Sequence, residues 1–219
     1  MNLSRVNNKW PVAREGLPFI LTGILLTVLF SVFGWHIPTF FLGFMTIFVI
    51  YFFRDPGRTC SCPEDEVVAP ADGRIVKIQE IEDETNPLGE PAILVSIFMN
   101  LFNVHVNRVP VSGTIEKVDY HPGKFFSANL DKASLLNERN CLILETRTSR
   151  RIAVTQIAGL VARRIVCWAG KGDRFETGQR FGLIRFGSRL DVHLPKNSEV
   201  TVRMGQKVKA GQTVIGRLT

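Results

Sequence analysis

The sequence predicts a mainly β protein: a barrel-sandwich-like antiparallel β domain with a short helix, preceded by an N-terminal apolar helical hairpin. Two long uncharged stretches fill most of the first 53 residues. From residue 67 onward the chain instead shows short runs of β-branched and apolar residues, separated by Gly, Pro and Asp. Such runs, bounded by turn residues, are typical of strands. We therefore expect a hairpin domain over residues 1–58 and a β-rich domain over residues 59–219.

The hairpin is predicted from residues 17–35 and 37–53, neither of which contains Asp, Glu, Lys or Arg. A helix needs about 20 apolar residues to cross a bilayer, so each stretch is just long enough. The break at His36-Ile37-Pro38 predicts the turn. The second apolar run follows at once without a small-residue cleavage site, which argues against a signal peptide. A monotopic or re-entrant hairpin remains open, and so does a buried core hairpin, although the remaining chain is small to enclose two uncharged helices.

The flanking charges predict the orientation of this hairpin. Three basic residues precede the first stretch, Arg5, Lys9 and Arg14, and two follow the second, Arg54 and Arg58. The connecting turn contains no Lys or Arg. The positive-inside rule then places both ends, and the β-rich domain, on the cytoplasmic side of the cell membrane. The net charge of +7 favours anionic membrane lipid as a partner. Nucleic acid is a weak alternative, because the sequence has no basic run interleaved with aromatic residues.

The strands of the β-rich domain are predicted from eleven runs. Their spacing is typical of an antiparallel barrel or sandwich. A short helix is predicted over residues 129–138. The runs are residues 67–69, 73–79, 92–98, 113–119, 140–146, 152–157, 164–168, 180–186, 191–194, 199–202 and 213–218.

A weak internal repeat supports an alternative function. Residues 69–78 and 109–118 both read apolar-Pro-x-x-Gly-x-Ile, a turn that leads into a strand. Residues 208–216 resemble the last turn and strand of biotinyl- or lipoyl-type domains. The alternative is therefore a non-catalytic, membrane-anchored barrel-sandwich module, such as a carrier or a transporter adaptor. A carrier needs a modifiable lysine at a hairpin tip, but Lys77 and Lys117 fall inside predicted strands. The repeat therefore indicates how the domain folds and gives little support to carrier activity.

The four cysteines do not predict a metal site. Cys60 and Cys62 form a C-x-C, while Cys141 and Cys167 stand alone, and zinc sites use C-x2-C pairs or added histidines. Because a cytoplasmic domain keeps its thiols reduced, we expect four unmodified cysteines.

The dipeptide Gly187-Ser188 is a candidate self-cleavage site between two β-like runs. Glycine allows unusual backbone conformations and leaves its carbonyl uncrowded. Attack of the Ser188 hydroxyl on the Gly187 carbonyl would give an ester, elimination would give dehydroalanine, and hydration with loss of ammonia would leave a pyruvoyl group. The products would be a large chain, residues 1–187, and a small chain, residues 188–219. Taken alone, the dipeptide is common and indicates no more than a turn.

Its context carries far more information. Together with the apolar hairpin, several ordered motifs resemble the phosphatidylserine decarboxylase family, in particular its short membrane-associated branch. These motifs are Phe53-Arg54-Asp55-Pro56, Ala69-Pro70-Ala71-Asp72-Gly73, Phe98-Met99-Asn100-Leu101-Phe102-Asn103-Val104-His105-Val106-Asn107-Arg108-Val109-Pro110, Pro122-Gly123-Lys124-Phe125, Asn137-Glu138-Arg139-Asn140, Gln156-Ile157-Ala158-Gly159 and Phe186-Gly187-Ser188-Arg189.

The resemblance implies a self-cleaving proenzyme of phospholipid biosynthesis. Its covalent pyruvoyl cofactor, made from Ser188, would form a Schiff base with phosphatidylserine and release CO2 and phosphatidylethanolamine. In such enzymes the cofactor accepts the electrons, and the protein supplies position and charge. The resemblance also implies a heterodimer of the two cleavage products, leaves further homo-oligomerisation open, and requires no metal.

The resemblance assigns site residues as well. Asp72 and His105 match family residues that activate the serine, and a relay in which Asp72 orients His105 makes physical sense. Longer members of the family carry a second histidine at the position of Arg108 in this chain. They also carry Leu-Gly-Ser-Thr at the cleavage site, whereas this chain has Phe186-Gly187-Ser188-Arg189. His105 therefore serves both cleavage and decarboxylation, or His121 takes one task. Arg108 and Arg189 are candidates for the lipid phosphate, with ordinary exposed charges as the alternative.

Overall fold

A computed structural model describes residues 6, 10–60, 62–82, 86–124, 136–159, 164–185 and 188–219. The chain separates into two compact units, one spanning Asn8–Gly57 and one containing Arg58–Thr219.

The first unit is a helical hairpin. A 3-10 turn, Arg14–Gly16, leads into helix α1, Leu17–Val32, and helix α2 covers His36–Phe52. The turn between them contains Gly34 at φ 72°, a conformation that glycine adopts without strain. It lies slightly earlier than predicted, because Pro38 fits the first turn of α2, where its missing N–H does no harm. Within the described residues, Arg14–Val32 is the helical segment long and apolar enough to cross a membrane, and α2 is shorter.

The two helices pack closely and leave their apolar side chains outside. A Cβ on Gly23 would lie 2.5 Å from Oγ1 of Thr46, so the glycine permits the approach. The Thr46 hydroxyl is satisfied within its own helix, since it donates to the carbonyl of Leu42 at 2.8 Å. Ile37 and Phe40 are 85% and 80% exposed. An apolar surface of this extent fits lipid better than water.

The second unit consists of strands. In chain order they are β1 Glu66–Val68, β2 Gly73–Ile81, β3 Ala92–Met99, β4 Val106–Arg108, β5 Gly113–His121, β6 Arg139–Glu145, β7 Arg151–Ala158, β8 Ile165–Cys167, β9 Arg174–Phe175, β10 Arg180–Ile184, β11 Ser188–Pro195, β12 Glu199–Val200, β13 Lys207–Val208 and β14 Val214–Arg217.

These strands form three sheets with antiparallel neighbours. The largest has eight strands in the order β13-β2-β3-β11-β7-β6-β5-β9, and two smaller sheets have the orders β4-β10-β8 and β1-β14-β12. Strand β11 lies inside the large sheet and pairs with both β3 and β7. Leu190, Val192 and Leu194 alternate along one face of β11 and are fully buried. The predicted fold class, mainly antiparallel β after an apolar hairpin, is confirmed.

The structure also differs from the expectations. All eleven predicted strands are present with shifted ends, but the sequence missed β4, β9 and β13, which have only two or three residues each. Each of these three strands contains a single apolar residue, which is too little to reveal a strand by alternation. The predicted helix over residues 129–138 falls mostly in 125–135, outside the described residues.

One expectation about the cysteines is wrong. Cys60 and Cys62 are joined by a disulfide, with their Cα atoms 5.4 Å apart, a separation that suits such a bond. Cys141 and Cys167 are free thiols, as expected. Burial raises the pKa of both free thiols.

Candidate active site

Ser188 is the first residue of β11 and lies between two neighbouring strands. It is opposite Met99 on β3 and Ala158 on β7. The residue is fully buried, and its Oγ has no hydrogen-bond partner among the described residues. Burying a hydroxyl without a partner costs free energy. Such a hydroxyl is a candidate for a chemical role.

The strands on either side of the predicted cleavage site belong to different sheets. Strand β10 ends at Ile184 in the small β4-β10-β8 sheet, and β11 begins at Ser188 in the large sheet. Phe186 and the predicted cleavage residue Gly187 lie outside the described residues. The candidate bond therefore falls in a short crossing between sheets.

His105 lies immediately before β4 and is 2% exposed. Its carbonyl accepts a hydrogen bond of 3.4 Å from the N–H of Ile184. One residue further, Val106 pairs with Leu183. His105 is thus fixed beside the end of β10, where the chain leaves for Ser188.

Asp72 directly precedes β2 and is also nearly buried. Arg74 is opposite Phe98, which in turn is opposite Arg189. This register puts Asp72 at the same end of the large sheet as Ser188, with β3 between them. Two strand spacings correspond to roughly 10 Å.

The carboxylate of Asp72 is held by Arg58 and Ala210. Nη2 of Arg58 donates to Oδ2 at 2.8 Å, Nη1 donates to Oδ1, and the Ala210 N–H donates to Oδ1 at 2.8 Å. The predicted hydrogen bond to the His105 ring is not among these contacts. Sequence reasoning used Arg58 only for membrane orientation and missed it as a site residue.

Both candidate phosphate-binding arginines are buried, and both donate hydrogen bonds to acceptors within the protein. Arg108 is 3% exposed and donates through Nη1 to the Gly178 carbonyl at 2.8 Å. Arg189 is 2% exposed, and its Nε and Nη2 each lie 2.9 Å from a carboxylate oxygen of Asp191. The alternative that they are ordinary exposed charges is therefore wrong.

A chain of buried amides leads towards Ser188. Asn140 donates to Oε1 of Gln156 at 3.1 Å, and Nε2 of Gln156 donates to Oδ1 of Asn107 at 2.8 Å. These three residues are at most 1% exposed.

The last amide of this chain has a weak acceptor. Nδ2 of Asn107 lies 3.8 Å from the sulfur of Met99, the residue opposite Ser188. A thioether accepts hydrogen bonds poorly. The amide chain thus presents a weakly used donor at the end of the sheet where Ser188 lies. Sequence reasoning missed it, although polar Asn107 and Gln156 stand out within apolar runs.

A buried serine at a crossing between two sheets, with a histidine and a clamped carboxylate nearby, is a candidate site for chemistry in a mainly β protein. Comparison with known proteins gives the family. A family sequence model described as phosphatidylserine decarboxylase matches residues 45–216. The chain belongs to the phosphatidylserine decarboxylase family.

Individual relatives agree over nearly the whole length. A protein of Magnetococcus marinus named phosphatidylserine decarboxylase proenzyme is 51% identical over 209 residues, covering 94% of this chain and 95% of the relative. Proteins of the same name from Geobacter metallireducens and Desulfotalea psychrophila are 48% and 45% identical, covering 97% and 95% of this chain and 99% and 97% of the relatives. The resemblance found in the sequence motifs is confirmed.

Proposed function

We propose that this protein decarboxylates phosphatidylserine to phosphatidylethanolamine and CO2, after cutting its own chain between Gly187 and Ser188. The observation that carries the proposal is the buried hydroxyl of Ser188, which has no partner among the described residues and lies at a crossing between sheets, in a member of this family. The word proenzyme in the names of the relatives supports a processing step.

The cut proceeds by an acyl shift. Oγ of Ser188 attacks the carbonyl carbon of Gly187, the C–N bond breaks, and an ester links the two parts. Loss of the Ser188 α-proton expels the Gly187 carboxylate and leaves dehydroalanine. Water then adds, ammonia leaves, and a pyruvoyl group begins the small chain. Residues 1–187 end in the Gly187 carboxylate.

The two products are expected to stay together as a heterodimer. After the cut, β11 belongs to the small chain but keeps its pairing with β3 and β7, which belong to the large chain. Strand β14 likewise pairs with β1 across the two products.

His105 is the proposed general base. Its position beside the end of β10 places it next to the segment that carries the reacting bond. A serine hydroxyl needs such a base, because it is a weak nucleophile while protonated. In this proposal Asp72, which Arg58 holds at the same end of the sheet as Ser188, assists His105, and His105 also returns a proton after CO2 leaves. His121 stays the alternative for one of these steps.

Asn107 is the proposed donor to the negative charge that develops on the Gly187 carbonyl oxygen. Gln156 fixes the amide orientation so that Nδ2 points towards Met99, opposite Ser188. A donor held in advance stabilises an oxyanion without reorganisation. Exchange of a weak sulfur acceptor for an oxyanion would strengthen its hydrogen bond.

The pyruvoyl group fits this site because it is made from Ser188 itself, and its carbonyl supplies the electron sink for decarboxylation. The chain must then bind the lipid phosphate. Arg108 and Arg189 stay the candidates, and the phosphate would have to share or replace the acceptors that they now hold, the Gly178 carbonyl and Asp191.

The hairpin is proposed to anchor the β-rich domain to the cytoplasmic side of the cell membrane, although the Cys60–Cys62 disulfide is a bond more typical of an oxidising compartment. Its exposed apolar surface and basic flanks support this location. Protease added to right-side-out vesicles should spare the β-rich domain, whereas the same protease should digest it in inverted vesicles. Digestion in right-side-out vesicles would contradict the orientation.

The decisive experiment is the intact mass of protein purified from membranes, together with CO2 release from phosphatidylserine vesicles. We expect two fragments, residues 1–187 and 188–219, the second with a pyruvoyl N-terminus. Ser188→Ala should leave one inactive full-length chain. Ser198→Ala is the matched control, because Ser198 is also buried, has an unpartnered Oγ within the described structure and lies in the same fragment. An intact, inactive wild-type chain would favour the barrel-sandwich module instead.

A further inference from the structure

A cavity of about 420 Å³ opens on the face of the large sheet opposite to that of Ser188. Side chains alternate along a strand, so Ser188, Leu190 and Val192 share one face of β11, and Arg189, Asp191 and His193 share the other. Asp191 and His193 line the cavity. The cavity is therefore separate from the Ser188 hydroxyl.

His193 gives this cavity an unsatisfied polar group. The residue is 7% exposed, and its Nδ1 is buried with no hydrogen-bond partner in the part of the chain that the structure describes. Burial lowers the pKa of His193 and so favours the neutral ring. A neutral imidazole can donate or accept a hydrogen bond, so it can complete its bonding with a ligand.

Two lysines of the internal repeat line the same cavity. Lys77 and Lys117 occupy equivalent positions of residues 69–78 and 109–118. Each follows an irregularity in its strand, between Ile75 and Lys77 on β2 and between Ile115 and Lys117 on β5. A bulge re-aims the side chain that follows it. The repeat thus brings two lysines to the lining of the same cavity, a feature that the proposed decarboxylation does not use.

The remaining lining contains charged, polar and apolar side chains; the polar and thiol ones are Gln79, Asn86, His121, Cys141 and Thr155. Arg139 adds a third cation against two carboxylates, Asp119 and Asp191. Both carboxylates already have cationic partners: Lys117 lies 2.9 Å from Asp119, and Arg189 lies 2.9 Å from Asp191. Apolar side chains also line the walls: Ile81, Pro87, Leu94, Ile143 and Ile157.

We propose that this cavity is a second binding site, for a phosphate ester of a small alcohol such as glycerol. The phosphate would lie between the lysine side chains, a polar group would bond to Nδ1 of His193, and the carbon atoms would contact the apolar walls. The shared chemistry is that of a soluble glycerol phosphate and of an anionic phospholipid headgroup. The site lies on the face of the sheet opposite to Ser188, and its test does not require the decarboxylation, because it uses the uncleaved Ser188→Ala protein.

The test measures binding in uncleaved Ser188→Ala protein, reconstituted in neutral phosphatidylcholine nanodiscs. One arm titrates sn-glycerol 3-phosphate by calorimetry. The other arm replaces part of the phosphatidylcholine with phosphatidylglycerol and follows the thermal midpoint. We expect saturable binding in the first arm or a raised midpoint in the second, and at least a tenfold loss of affinity, or loss of the shift, in Lys77→Met/Lys117→Met.

The matched control is Lys196→Met, which removes an exposed lysine paired with Glu82 outside the cavity. It should bind like the parent protein. His193→Phe, a second variant that keeps the lysines, should also weaken binding. An effect in the first arm identifies a soluble phosphate ester, and an effect confined to the second identifies a lipid headgroup. Binding that is absent, or equal in the lysine variant and its control, overturns the proposal.

Discussion

The guanidinium of Arg58 holds both carboxylate oxygens of Asp72, and the two side chains are only 8% and 12% exposed. Arg58 also donates to the carbonyl of Ala210 at 2.8 Å, while the Ala210 N–H donates to Asp72 at 2.8 Å. Residues before β1, before β2 and after β13 are thereby joined. If the chain is cut at Ser188, this contact ties the large product to the small one.

Loss of Arg58 should destabilise the protein strongly. Arg58→Met leaves a buried carboxylate without its cation, which costs about 3–5 kcal/mol. Denaturant unfolding of detergent-solubilised protein measures the change. Arg147→Met is the control, because its pair with Glu64 is 68% and 69% exposed and should contribute less than about 1 kcal/mol. Equal effects of the two substitutions would contradict the importance of the clamp.

Replacement of His105 should slow self-cleavage. A positioned general base contributes roughly 10²–10⁴-fold, so His105→Ala should accumulate the full-length chain in a pulse-chase gel. His121→Ala is the comparison, since the His121 side chain is 44% exposed and lies beside Asp119. If His121→Ala blocks cleavage and His105→Ala does not, the role of general base belongs to His121.

Asn107→Leu should slow cleavage more than it destabilises the fold. Removal of one oxyanion donor costs about 10²–10³-fold in rate. Asn140→Leu removes an equally buried amide from the other end of the same chain of hydrogen bonds. The two variants should unfold at similar denaturant concentrations, but Asn107→Leu should cleave far more slowly. Matching cleavage rates would assign Asn107 a purely structural role.

His193 should make stability depend on pH. Burial lowers its pKa below the ordinary value of 6.5, so the unfolded chain binds the proton more readily. Stability should therefore fall as pH drops below about 6.5, with a slope of at most about 1.4 kcal/mol per pH unit from this one group. The negative charge of nearby Asp191 acts in the opposite direction and raises the pKa of His193, whereas the positive charge of Arg189 lowers that pKa further.

Unfolding curves between pH 5 and pH 8 measure this dependence. His193→Phe should flatten the pH dependence, whereas His36→Gln, a change at the start of α2, should leave the contribution of His193 in place. A profile of unchanged slope in His193→Phe would show that other groups cause the loss of stability.

Much of this protein is visible in contiguous residues. The uncharged stretches determine the hairpin, the alternating runs determine the longer strands, and the ordered motifs around Gly187-Ser188 determine the family. Each of these signals is local, because helix and strand periodicities repeat within a few residues. Strand β4 escaped notice because only one of its three residues, Val106, is apolar, so it shows no such pattern.

The tertiary structure decided what surrounds Ser188. Asp72 and Ala210 are 138 residues apart in sequence, and Asn107 and Gln156 are 49 apart, yet each pair is hydrogen-bonded. The same strand register places Lys77 and Lys117, on two different strands, in the lining of one cavity. A sequence specifies which residues form strands, but the partner of a buried polar group follows from how distant strands align, since a shift by one residue turns every side chain to the other face.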